Sequence, residues 1–261
     1  RKLNHHCSIH MQYSHSDDEL WDEHQWDVHI SEVEKKSDQL RKFITADPRG
    51  GSTPRWITLL EESVSEDDAF EAYVEEELLL DEAYFPDDED WEDEDEFDED
   101  EFPFNALEEY DEEAEIDFDE GEEWKALSED FAYSNYGSLD NLRIYSRSKN
   151  IAIDVLRWAL SIDEKHQSPE IDDFVEETLK IGAKLAGGYS FGFDHEYMGA
   201  NIAYTKRSLL YANNGLNRLV QLKGKGLFKK SEYLSLHDRF HELRNDIGVY
   251  VQELRDRFRR G

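Results

Sequence analysis

The sequence holds a single cysteine, Cys7, so it cannot close a disulfide within itself. Nothing therefore points to a disulfide-stapled secreted scaffold. Long apolar runs are also missing. The longest are a few residues, such as Leu78-Leu79-Leu80, against the ~20 needed to span a bilayer. No cationic segment followed by an apolar stretch and a small-residue cleavage site is visible. A cytoplasmic protein is expected, with a nuclear one equally open. Positive charge is scarce: 29 Lys and Arg stand against 64 Asp and Glu, for a net charge of −35. That balance resists DNA, RNA and anionic lipid unless a basic face is segregated from it, and it favours cationic partners.

Catalytic signatures are absent as well. There is no nucleophile elbow, no P-loop and no Cys–His pairing with a supporting pattern. Glycine does not occur between Gly51 and Gly121, so the acidic residues there cannot form an EF-hand loop, which needs Gly at its sixth position. Weak divalent-cation binding by charge condensation is all they suggest. No cofactor and no enzymatic activity are expected.

What is present is a concentrated anion. Residues 61–130 contain 37 Asp and Glu against Lys125 alone, a balance of −36. The residues before them contribute −2 and those after them +3, which accounts for the whole −35. Within Asp87–Glu101, 13 of 15 residues are acidic. Like charges at helical spacing repel, and no Lys or Arg lies one turn away to relieve them. A low-complexity segment, largely disordered, is expected from such a pattern. Aromatics punctuate it: Trp91, Phe97, Phe102, Phe104, Tyr110, Phe118 and Trp124. With carboxylates such as Asp95 and Glu99, these rings would form a partner-binding tract, charge giving attraction and rings giving apolar anchorage.

Helical patterning flanks the tract. Before it, Ser16 reads as an N-cap for a helix carrying Trp26, Ile30, Val33, Leu40 and Ile44. Thr53-Pro54 restarts a helix with Trp56, Leu59 and Leu60 inward, and Ser65 opens one with Phe70, Tyr73, Val74 and Leu78. After it come four amphipathic segments. The first is capped at Ser138 and carries Leu142, Tyr145, Ala152, Leu156, Ala159 and Ile162. The second opens at Ser168-Pro169 and carries Ile171, Phe174, Val175, Leu179, Gly182 and Leu185. A glycine-rich loop, Gly187 to Phe193, should separate it from the third, with Asp194-His195-Glu196 at the start of that helix. The third carries Met198, Ile202, Leu209, Ala212, Leu216 and Leu219. The fourth, from Ser231, carries Leu236, Phe240, Leu243, Ile247, Tyr250, Leu254 and Phe258.

Short connections make such helices antiparallel neighbours. The expected fold is all-α: N-terminal helices over 1–85 with an irregular His-rich start, an acidic–aromatic segment over 86–130, and an antiparallel four-helix bundle over 131–261.

Three functions compete. The first is a non-enzymatic interaction protein whose tract binds a basic protein or basic tail, chaperone-like or docking, with the bundle as scaffold or homodimer interface. The second is a metal-dependent bundle protein, for metal handling or catalysis. It would use His237 and His241, four apart on one helix face, or the N-terminal His5, His6 and His10. Their spacings match no closed zinc pattern, and no Glu-x-x-His pair accompanies them. The third is a nucleic-acid mimic. Duplex DNA carries one charge per ~1.7 Å, whereas the extended run at ~3.3 Å per residue offers roughly one per 3.8 Å. Only a helix, at 1.5 Å rise, would match it. A membrane partner and direct nucleic-acid binding are not expected.

Overall fold

Apolar side chains recurring every three to four residues produce seven α-helices and no strand among the described residues. The structure is a computed structural model and describes residues 21–44, 53–82 and 138–260. The helices are α1 Glu23–Ile44, α2 Arg55–Glu62, α3 Glu66–Glu82, α4 Arg143–Leu160, α5 Pro169–Ser190, α6 Met198–Gly224 and α7 Lys230–Phe258. The acidic–aromatic tract lies outside the described residues, as do His5, His6, His10 and Ser16.

Helices α4 to α7 alternate in direction and pack each on its chain neighbour, and α7 closes the ring against α4. This is the antiparallel bundle expected for short connections. The last helix follows its pattern closely: Leu236, Phe240, Leu243, Ile247 and Leu254 are all buried. Each such side chain contributes ~1.5–3 kcal/mol before the entropy of ordering is subtracted. Gly226, at φ 76° in the α6–α7 turn, adopts a left-handed backbone that glycine alone takes without strain.

The N-terminal helices join this core. Trp56 and Leu59 of α2 and Phe70, Tyr73 and Val74 of α3 belong to the same apolar cluster as Leu156, Phe174 and Phe240. The Trp56 indole donates to Asp172 Oδ1 at 3.1 Å, fixing α2 on α5. Helix α1 lies along α6, with Trp26 and Ile30 packed on Ala200, Ala203 and Tyr204. It starts where Asp22 and Gln25 cap each other. Asp22 Oδ1 accepts from the His24 and Gln25 amides at 2.8 and 2.9 Å, and Gln25 Oε1 accepts from the Asp22 amide at 2.9 Å.

Three local expectations are corrected. Gly187 and Gly188 do not start a loop; α5 continues through them to Ser190. Their missing side chains make room for α6. A Cβ on Gly187 would sit 2.9 Å from the Tyr204 ring, and one on Gly188 would sit 3.1 Å from the Asn201 carbonyl oxygen. Ser138 caps a short 3-10 turn, Leu139–Asn141, and α4 begins only at Arg143. Asp194-His195-Glu196 lies in the turn before α6, which begins at Met198, and His195 stacks on the Phe258 ring at 4.8 Å.

Because α1, α3, α4 and α6 pack around its second half, α5 is buried all round from Ile181 to Tyr189. A helix enclosed in this way ordinarily carries no charge. This one carries Lys184.

Candidate functional site

Lys184 is 2% exposed and sits at the junction of α1, α3, α5 and α6. Its Nζ lies 2.7 Å from Asp81 Oδ2, 3.5 Å from Glu34 Oε1 and 3.7 Å from Glu77 Oε2. The Tyr204 ring lies beneath it at 5.5 Å, and the Tyr204 hydroxyl donates to Asp81 Oδ2 at 3.3 Å. Around this centre, Arg207 bridges Glu34 and Asp27, each at 3.2 Å, and the Tyr211 hydroxyl donates to Glu34 at 3.3 Å. Ser37 donates to the Leu80 carbonyl at 3.1 Å, joining α1 to α3 directly.

Among the described residues Asp27, Glu34, Glu77 and Asp81 face Lys184 and Arg207, four carboxylates around two cations. Burial pushes the Asp81 carboxyl above its ordinary range; Lys184 opposes that and the charges of Glu77 and Glu34 add to it. Burial also works against the Lys184 ammonium, but Asp81, Glu77 and Glu34 together hold its pKa above the usual value. A lysine serving as a nucleophile needs the opposite shift. Lys184 is a fixed cation whose chemistry is positional: it pins α1 and α3 to α5. Asp81 Oδ1 is buried and has no hydrogen-bond partner among the described residues, a desolvation load that the cluster carries.

The histidine pair is described in full. His237 and His241 share a face of α7 with rings 6.5 Å apart and nearly parallel. His237 packs on Tyr233 and approaches Asp238 at 3.6 Å, while His241 meets Asn245 at 3.3 Å. No group of three or more His, Cys, Asp or Glu among the described residues is arranged to hold a metal ion.

Many cations of the bundle pair with its own carboxylates or rings. Lys206 and Arg255 pair with Glu23, and Arg207 with Asp27 and Glu34. Lys225 pairs with Glu170, Lys229 with Glu232, and Lys223 lies over the Tyr233 ring. On the α4–α7 face, Arg147 pairs with Asp246 and Arg239 with Asp154. Arg143, Arg257 and Arg260 have no carboxylate partner among the described residues.

Two of those three line a groove of about 630 Å³ at one end of the bundle. Leu142, Phe193, Tyr250 and Leu254 provide its apolar wall, and Arg257, Arg260 and Glu253 its charged groups. The Arg257 guanidinium lies 4.9 Å from the centre of the Phe193 ring. The Tyr250 hydroxyl is buried behind this wall and has no hydrogen-bond partner among the described residues.

The sequence held a signal for the Lys184 cluster. Lys184 is the only charged residue from Ile181 to Phe193, a run of small and apolar side chains. The end groove, by contrast, assembles residues from three separate parts of the chain and has no local signature. No family model, no curated protein and no solved structure matches this chain.

Proposed function

We propose that this is a non-enzymatic interaction protein whose acidic–aromatic tract binds a basic protein or basic tail, inside the cell. The observation that carries this reading is the segregation of charge. Residues 83–137 contain 26 Asp and Glu against Lys125, so −25 of the total −35 belongs to them. In the helical body most cations are matched by the body's own carboxylates. Charge of one sign gathered into one segment attracts the opposite sign over roughly a Debye length, ~8 Å at physiological salt. Trp91, Phe97, Phe102, Phe104, Tyr110, Phe118 and Trp124 would then supply short-range apolar contacts.

The bundle acts as a scaffold in this reading. Its exposed apolar residues, among them Leu210, Val220, Leu234 and Val249, are of the scattered kind found on ordinary surfaces. No helix among the described residues is long and apolar enough to cross a membrane. The Lys184 cluster supports the scaffold role, because it locks α1 and α3 in place and offers no depressed-pKa amine for covalent chemistry.

The test is a capture experiment with the full chain and with a variant lacking residues 87–123, compared at low and moderate salt. Basic proteins retained by the full chain, released by salt and lost with the deletion support the reading. Equal capture by both chains removes it.

A further inference from the structure

The groove at the end of the bundle has two features that ask for a specific kind of occupant. Its wall is apolar and partly aromatic, from Leu142, Phe193, Tyr250 and Leu254, and its cations are the guanidinium groups of Arg257 and Arg260, which have no carboxylate partner among the described residues. Glu253 is the one carboxylate in the groove's lining among the described residues. The second groove, between α4 and α7, differs: Arg147, Arg157 and Arg239 there each carry a carboxylate of the body. A ligand for the end groove should therefore bring carboxylates for the guanidinium groups and a ring for the wall.

Topology supplies a candidate. Asp81, next to the last residue of α3, bonds to Lys184, and Leu78 reaches Gly187, so α3 ends beside the C-terminal part of α5. The C-terminus of α5, the N-termini of α4 and α6 and the C-terminus of α7 all gather at that end of the bundle. Residues 83–137 thus leave the body and return to it at the end that holds the groove. They return at Ser138, four residues before the groove residue Leu142. The sequence Asp117-Phe118-Asp119-Glu120 lies about 20 residues upstream, within reach at ~3.3 Å per residue. A tether of that length holds its end at an effective concentration of about millimolar, so even a weak groove would be occupied.

We infer that the end groove, through Arg257, Arg260 and its aromatic wall, docks the chain's own acidic–aromatic segment, residues 83–137. The inference stands apart from the partner reading, since docking in cis holds whether or not a basic protein also binds. Where both hold, a basic partner competes with the groove for the same carboxylates.

The sign of a salt effect decides the matter on the purified full chain. A free polyanionic segment repels itself and is extended at low salt, so its chain contracts as salt rises. A docked segment is compact at low salt and released by screening. The hydrodynamic radius of the native chain should rise from about 0.05 to 1 M salt, by about 10–20% given the size of a 55-residue segment. The Arg257→Glu/Arg260→Glu variant should be larger at low salt and contract as salt rises, with its helical circular dichroism unchanged. Arg257→Lys/Arg260→Lys, which keeps the charge, should expand with salt as the native chain does, and it serves if the reversal fails to fold. A native radius that falls with salt overturns the inference. So does a charge-reversed variant that behaves as the native chain, which would place the contact elsewhere. A low-salt radius that depends on protein concentration would give the groove to a second copy, and overturns it too. None of these outcomes touches the capture experiment.

Discussion

Lys184 ties α1 and α3 to α5 through Glu34, Glu77 and Asp81. Removing its charge would leave Glu34, Glu77 and Asp81 facing one another in a dry interior, the situation in which breaking a buried pair is most damaging. Lys184→Met should therefore lower stability by about 3–5 kcal/mol in urea unfolding. Adding Asp81→Asn should restore part of the loss, because it removes one of the stranded charges. If Lys184→Met is neutral, the carboxylates are not held by it. The pH dependence follows from the Asp81 carboxyl, which burial holds above its ordinary 3.8. The folded state then keeps a proton that the unfolded chain has lost. Stability falls as pH rises from 3.8 through the folded-state value, and is constant beyond it. Asp81→Asn removes that loss. Its stability relative to the native chain should climb with pH across the same window in paired thermal melts, and a constant difference would contradict the assignment. Glu23 works in the other direction. Arg255 beside it holds its carboxyl below the ordinary 4.5, so its contribution is present above that value and lost as pH falls through the folded one.

At the scale of elements, glycines separate close packing from open surface. A Cβ on Gly182 of α5 would lie 2.5 Å from Phe70 Cζ, in the center of the core, whereas one on Gly248 of α7 meets nothing within 4 Å. Gly182→Ala should destabilise by about 1–3 kcal/mol through overpacking. Gly248→Ala should stabilise by roughly 0.5–1 kcal/mol, since it removes glycine's entropy penalty inside a helix. Equal effects in denaturant titration would mean that α3 does not press on α5 at Gly182. The same contrast shows what was legible beforehand. Leu236, Phe240, Leu243 and Ile247 announce their helix and its inward face, because one spacing serves one neighbour. Gly187 and Gly188 read as a break because glycine lowers helix propensity. In the fold, the approach of Tyr204 and Asn201 outweighs that propensity. Lys184 was readable in principle, as a lone charge in an apolar run, but its partners Glu34, Glu77 and Asp81 come from distant helices with no spacing in common. The end groove was not readable at all, because adjacency of Leu142, Phe193 and Arg257 is a property of the bundle's topology.

At the scale of the whole molecule, the chain separates a helical body, many of whose cations pair with its own carboxylates, from residues 83–137, which carry 26 Asp and Glu against a single lysine. That division is the central claim, and calorimetric titration of the full chain with a lysine-rich protein measures it most directly, with the variant lacking residues 87–123 as its pair. The account predicts binding by the full chain that weakens at least about tenfold between 0.05 and 0.3 M salt, as screening of a multiply charged contact requires. It predicts no detectable heat from the deletion variant, whose melting transition should remain intact. Binding of equal affinity in both chains would contradict it.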